Sequence, residues 1–383
     1  MKLNSFLSPN SLPNSISNIV LVVIFISLFP IVNAACSSIS VRKEFRQFSD
    51  QERRDFLNAV RALNQGVRPT RFDRLVRIHQ VARENAHYQP QFLPWHRYFL
   101  REYERALQSI NPRVVLPYWN WGEDASNPTS SRIFSNEWFG GNGNCVNTGA
   151  FANWRVYYYG NNYYYPHCLR RNINLQDNVV DTVALQNIIL TSDRYDTLRR
   201  ALEGNPHSGI HVGIGGDMFT MASPNDPLFY MHHAFIDKLW ADWQKRNPRL
   251  ANQYEGRNKD GTYVTLNEVM QPFNVRVGSA MSTTSDGYCY VYNEYSGSRN
   301  VAAADAEAEF SAAEGTRNST RLSNVKPKIL REPKSTPEQW IIMNGGNVRE
   351  VRAQENRLKG FIRQFNQNVT SNLPLNVAAK VDI

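Results

Sequence analysis

Residues 223–243, SPNDPLFYMHHAFIDKLWADW, constrain this chain most. Leu228, Phe229, Phe235, Ile236, Leu239 and Trp240 recur at helical spacing, so the pattern predicts one largely buried helix. Asp226 can cap its start, and Pro227 suits a first turn where a missing N–H costs nothing. His232 and His233 stand in its middle. A buried imidazole needs a polar partner or a metal. The fold must therefore bring something to these two rings.

The other histidines suggest what that is. The chain has eight: His79, His87, His96, His167, His207, His211, His232 and His233. Three cluster in RIHQVARENAHYQPQFLPWHRYFLREYERAL, and two more in LEGNPHSGIHVGIGGDM. His207 and His211 are four apart, which puts both on one helix face. The pattern predicts a helix from Ser49, capped with Glu52, to about Asn64, and a second from Phe72 to about Glu84 carrying His79. His87 falls in a loop, and His96 in the first turn of a third helix begun near Pro94. Four helices would then deliver two three-histidine sites, as in metal sites built inside bundles. His167, beside Cys168 in a tyrosine-rich stretch without helical period, reads as an ordinary surface or loop histidine. Neutral imidazole suits zinc, copper, iron or nickel, and a trio without carboxylate or thiolate leaves a position open. No HExxH occurs, which argues against a metalloprotease.

The phrases AHYQPQFLPWHRYFL, NPHSGIHVGIGGDM and NDPLFYMHHAFIDKLW resemble the two copper-binding signatures of the tyrosinase family, which also holds catechol oxidases and molluscan haemocyanin domains. The likeness spans residues 41–292, with three motifs in order. It implies a mainly α fold: a four-helix bundle housing a dicopper centre, with long irregular loops and a few short strands. It implies copper A on His79, His87 and His96, and copper B on His207, His211 and His233, with His232 in support. The interval from His79 to His87 is shorter than in most of the family. The implied activity is a copper-dependent oxidoreductase of the tyrosinase or catechol oxidase type, acting on a small phenol with dioxygen.

Monophenol-hydroxylating members resemble one another in placing a Glu and an Asn around a water. Glu203 matches the Glu, but Ser208 stands where the Asn would be, with one polar group fewer. Oxidation of o-diphenols to o-quinones is therefore the expected reaction. Asp237, four residues after His233, could orient an imidazole or pair with Arg97. Thr220 or Met221 is expected near the substrate entrance. Tyr290-Val-Tyr292 resembles the motif that closes such domains against an arginine, here Arg42. Two other readings share the fold: reversible oxygen carriage like haemocyanin, and a silent matrix protein. Against the first, no cysteine lies two residues from His87, where Asn85 and Gln89 stand.

The ends divide the chain into three. Residues 1–34 read as a signal peptide, since IVLVVIFISLFPIVNA is short for a span and ends in small residues. Residues 35–299 form the copper-binding domain, and residues 300–383 an extension that could be a linker with a small module or a cover for the site. A secreted protein is expected, with no membrane span in the mature form. Cys36, Cys145, Cys168 and Cys289 allow three pairings. In one of them Cys145–Cys168 staples the aromatic loop and Cys36–Cys289 ties the domain's start to its end. Asn318 and Asn368 begin glycosylation sequons. The net charge of +9 is scattered arginine on helices without interleaved aromatics, which excludes nucleic acid as the expected partner.

Overall fold

The computed structural model describes residues 36–160, 163–285, 287–294 and 329–371. The proposed signal peptide and the sequon at Asn318 lie outside the described residues.

Helix α1 (Asp50–Leu63) starts on the expected box: Ser49 accepts from the Glu52 amide while Glu52 accepts from Ser49. Thr70 and Asp73 form a second such box at the head of α2 (Arg71–Val81). One turn, α3 (Arg83–Ala86), bends the chain into α4 (Phe92–Gln108). α4 buries Leu93, Trp95, Phe99, Leu100, Tyr103 and Leu107. α8 (Leu228–Arg246) buries fifteen of its nineteen residues, as the sequence pattern demanded. Pro227 takes the N-cap position of α8, and Asp226 just before it accepts from the Leu228 amide at 3.0 Å while Arg171 grips the same carboxylate.

α4 and α8 pack together at the centre. Tyr103 stacks on Tyr230 at 3.5 Å, and Arg97 pairs with Asp237 at 2.6 Å. Both charges are buried, so the pair depends on further donors and acceptors. Arg97 also reaches Gln244 and the Ala280 and Met281 carbonyls, and Asp237 accepts from Tyr290 and Tyr292.

α5 (Thr182–Thr191) and α6 (Tyr195–Leu202) lead into α7 (Ser208–Ile214) through a kinked turn at residues 203–207, where Gly204 leaves helical geometry. The strands are short. β1 (Ser40–Arg42) runs parallel to β6 (Tyr290–Tyr292), pairing Arg42 with Tyr292. Arg42 lies over the Tyr290 ring at 3.4 Å and donates to the Tyr292 hydroxyl, as the resemblance implied. The tyrosine-rich stretch is partly a hairpin, β2 (Arg155–Tyr159) with β3 (Tyr163–Cys168). A two-residue ladder, β4 (Val269–Met270) with β5 (Val275–Arg276), lies beside the core. Disulfides join Cys36 to Cys289 and Cys145 to Cys168.

After residue 328 the chain returns to the domain. It forms α9 (Glu338–Met343) and α10 (Val348–Ser371), which buries Val351, Glu355, Leu358 and Ile362. Asn368 lies on α10. Among the described residues, no helix is long and apolar enough to cross a membrane.

Candidate metal centre

The helices bring the histidines into two buried groups. One holds His79 from α2, His87 just after α3 and His96 from α4; the other holds His207 and His211 around α7 with His232 and His233 from α8. The groups face each other, with the His96 and His233 rings stacked at 4.1 Å. The short interval between His79 and His87 is absorbed by α3, and their Nε2 atoms lie 3.2 Å apart.

The ring orientations explain what the groups can bind. His79 directs Nδ1 at the Met221 carbonyl, His96 at Phe92, His207 at Glu203 and His211 at Met218. A carbonyl only accepts, so each Nδ1 carries the proton and each Nε2 a lone pair. Two of those lone pairs have no protein donor: Nε2 of His96 and of His207 is buried without a partner. Nε2 of His79 and of His211 faces only another imidazole, that of His87 at 3.2 Å and of His233 at 3.3 Å. A buried lone pair left without a donor, as on His96 and His207, is unfavourable unless a cation sits beside it. Two nitrogens bound at about 2.0 Å to one ion stand about 3.3 Å apart at a tetrahedral angle, so the spacing fits as well.

The second group offers four rings, and hydrogen bonding separates them. The Trp121 indole N–H donates to Nδ1 of His232 at 3.1 Å. Neutral His232 then carries its proton on Nε2 and has no lone pair for a metal. His233 has no such donor. Trp121 lies in residues 117–178, which have no helical period, and nothing in its spacing pointed to this role.

Burial holds these rings neutral. It pushes His79 down to about 3, with the nearby His211 adding to the fall, and His211 down to about 4. His87, His96, His207, His232 and His233 also lie well below the ordinary value, chiefly through burial. In the metal-free protein the unfolded chain therefore binds more protons than the folded one below about pH 6.5. Stability is present above that pH and is lost as pH falls through it, by about 1.4 kcal/mol per pH unit per histidine. The thermal midpoint of metal-free protein is expected to drop clearly between pH 7 and pH 5. A flat profile would contradict the burial of these rings.

The remaining candidates are placed as follows. Glu203 is buried; the Tyr88 amide and Arg199 hold its oxygens, and burial still pushes its carboxyl up to about 7. Ser208 bonds Thr336 of the C-terminal segment at 2.6 Å. Asp237 pairs with Arg97 and contacts no histidine in its hydrogen bonding, so of the two expected roles the structure shows the ion pair. Met221 is fully buried and offers its carbonyl to His79; the Thr220 hydroxyl turns to the Asp217 carbonyl. Both belong to the loop whose carbonyl meets His79, with Thr220 half-buried. His167 is not a surface residue: it is 5% exposed and bonds Asp217 at 2.8 Å.

The C-terminal segment reaches the site, which the sequence left open. The Trp340 ring lies 5.8 Å from both the His207 and His211 rings and is buried. Thr336 meets Ser208, and the Lys334 carbonyl accepts from Asn205.

A helical bundle around two facing groups of buried imidazoles is suited to hold a pair of metal ions. The comparisons agree. The common central domain of tyrosinase matches residues 69–246. A tyrosinase of Streptomyces antibioticus is 36% identical over 282 residues, covering 66% of this chain and 99% of that one. The tyrosinase-like protein phomQ1 of Diaporthe leptostromiformis is 33% identical, covering 67% and 78%. Among solved structures, a polyphenol oxidase variant from Thermothelomyces thermophila superposes with a TM-score of 0.60 at 27% identity, covering 67% of this chain and 89% of that one. The chain belongs to the tyrosinase family and is a copper oxidoreductase of the tyrosinase type. About a third of it has no counterpart in the Streptomyces protein.

Proposed function

We propose that this protein, secreted and loaded with two copper ions, oxidises o-diphenols to o-quinones with dioxygen, and that the segment after residue 328 keeps it latent. By this reading His79, His87 and His96 hold one ion, and His207, His211 and His233 the other. Copper supplies the redox chemistry, each diphenol giving up two electrons and two protons as dioxygen is reduced to water.

The observation that carries the reading is an aromatic ring, Trp340, seated on the imidazoles of one of two facing trios. A flat ring fits there, and a phenol is such a ring. The two disulfides favour an oxidising compartment.

The chain's own groups favour diphenols. An o-diphenol needs only to lose two electrons and two protons, whereas a monophenol must first gain an ortho oxygen, a step that a positioned water assists. Glu203 already accepts from Arg199 and the Tyr88 amide, and Ser208, which is bonded to Thr336 while the segment is docked, offers one polar group fewer than an asparagine for holding a water. Copper-loaded protein without residues 300–383 is expected to take up oxygen with catechol well above its rate with tyrosine. Absence of uptake with either substrate would defeat the proposal. Ser208→Asn in that protein supplies the missing amide and is expected to raise the monophenol-to-diphenol rate ratio about 10-fold, below the ~100-fold or more of a fully positioned acid or base because the residue only helps to hold a water. An unchanged ratio would show that the position does not govern the first step.

A further inference from the structure

One loop supports both trios. Within residues 217–221 the Met218 carbonyl accepts from His211 and the Met221 carbonyl from His79, each at 2.9 Å. One ligand-candidate ring from each group is therefore aimed by the same five residues. The anchor of that loop is Asp217, which is wholly buried. Its Oδ1 accepts from His167 Nε2 and from Asn225, both at 2.8 Å, and its Oδ2 from the Arg170 amide at 2.9 Å. No arginine or lysine pairs with this carboxylate in the described residues.

His167 joins it to the hairpin. Its Nδ1 faces the Tyr165 carbonyl at 2.7 Å while Nε2 faces Asp217, so both ring nitrogens meet acceptors. Asn225 spans the same two parts, donating to the Tyr158 carbonyl as well as to Asp217. Cys168, the next residue, is held by its disulfide to Cys145. The loop thus hangs from a fixed hairpin by a few strong, dry hydrogen bonds.

We infer that His167 and Asp217 are a positioning pair for both metal sites, acting through the Met218 and Met221 carbonyls on His211 and His79. The inference rests on the reading of the trios as copper sites. Outer partners of this kind typically alter metal affinity 10- to 100-fold, because they fix the orientation of the ligating ring.

The test uses the full chain loaded with copper, freed of excess metal and diluted into a chelator. Copper per protein is followed in time, and the thermal midpoint of the metal-free form is measured separately. His167→Gln has a single amide that cannot serve both acceptors; Asp217→Asn turns an amide N–H toward existing donors. Both are expected to release both ions together, about 10- to 100-fold faster than wild type. Val60→Ala, a core truncation on α1, gives the control: loss of stability with release at the wild-type rate. Release by the two variants at the control's rate would reduce the pair to ordinary packing. Accelerated loss of only one ion would disprove the shared loop. If Asp217→Asn does not fold, His167→Gln decides alone. A wild type that takes up no copper removes the underlying reading instead, and does so before any variant is compared.

Discussion

Trp340→Ala is expected to raise catechol turnover by the copper-loaded full chain about 10- to 100-fold. Trp340 is 2% exposed, lies against the His207 and His211 rings and touches Tyr88 edge-on. Truncating a buried tryptophan typically costs about 3–5 kcal/mol. Most of that loss falls on the docked state of the segment, since an undocked Trp340 has no such contacts. With a tenfold change in an equilibrium for each 1.4 kcal/mol, the open fraction rises by about two decades or more, until opening no longer limits access. The remaining contacts soften the effect: α10 stays packed through Val351, Leu358 and Ile362, and Thr336 still meets Ser208. Deleting residues 300–383 should therefore equal or exceed the single substitution. Oxygen uptake at subsaturating catechol measures both. Equal rates for wild type, Trp340→Ala and the deletion would mean the segment does not gate the site.

The second large effect separates two adjacent histidines. His233→Gln is expected to bind one copper in place of two and to lose at least 1,000-fold in oxygen uptake. His232→Gln is expected to keep both ions with a loss within about 10-fold. The ground is the Trp121 indole, which donates to His232 and fixes its proton on the nitrogen that would otherwise coordinate. His233 meets His211 and stacks on His96, between the two groups. Even outer partners cost 10- to 100-fold in affinity, so removal of a ligand must cost more. Metal content per chain reads the difference directly, without reliance on turnover. The opposite pattern, with copper lost from His232→Gln alone, would exchange the roles of the two rings.

Much of the centre was legible in the sequence because its determinants are local. The i, i+4 spacing of His207 and His211, the Ser49–Glu52 box and the apolar face of residues 228–240 each lie within one helix. The docking of the tail was not decided by the sequence, which left a cover as one of two options, because its key contact joins residues 207 and 340, and no local period encodes such a pairing. The β2–β3 hairpin escaped for another reason: tyrosines on both faces erase the alternation that marks a strand. His167 read as an ordinary loop residue because its partner, Asp217, lies 50 positions away in a glycine-flanked turn. Trp121 was hidden likewise, its acceptor being 111 residues distant.

The parallel pairing of Ser40–Arg42 with Tyr290–Tyr292, riveted by Cys36–Cys289 and by Arg42 over Tyr290, closes the polypeptide on itself before the extension begins. A nick anywhere downstream of that clasp leaves the enclosed body topologically whole. Unmasking can then be a one-way event: the cover departs, while the part that does chemistry neither refolds nor loses a strand.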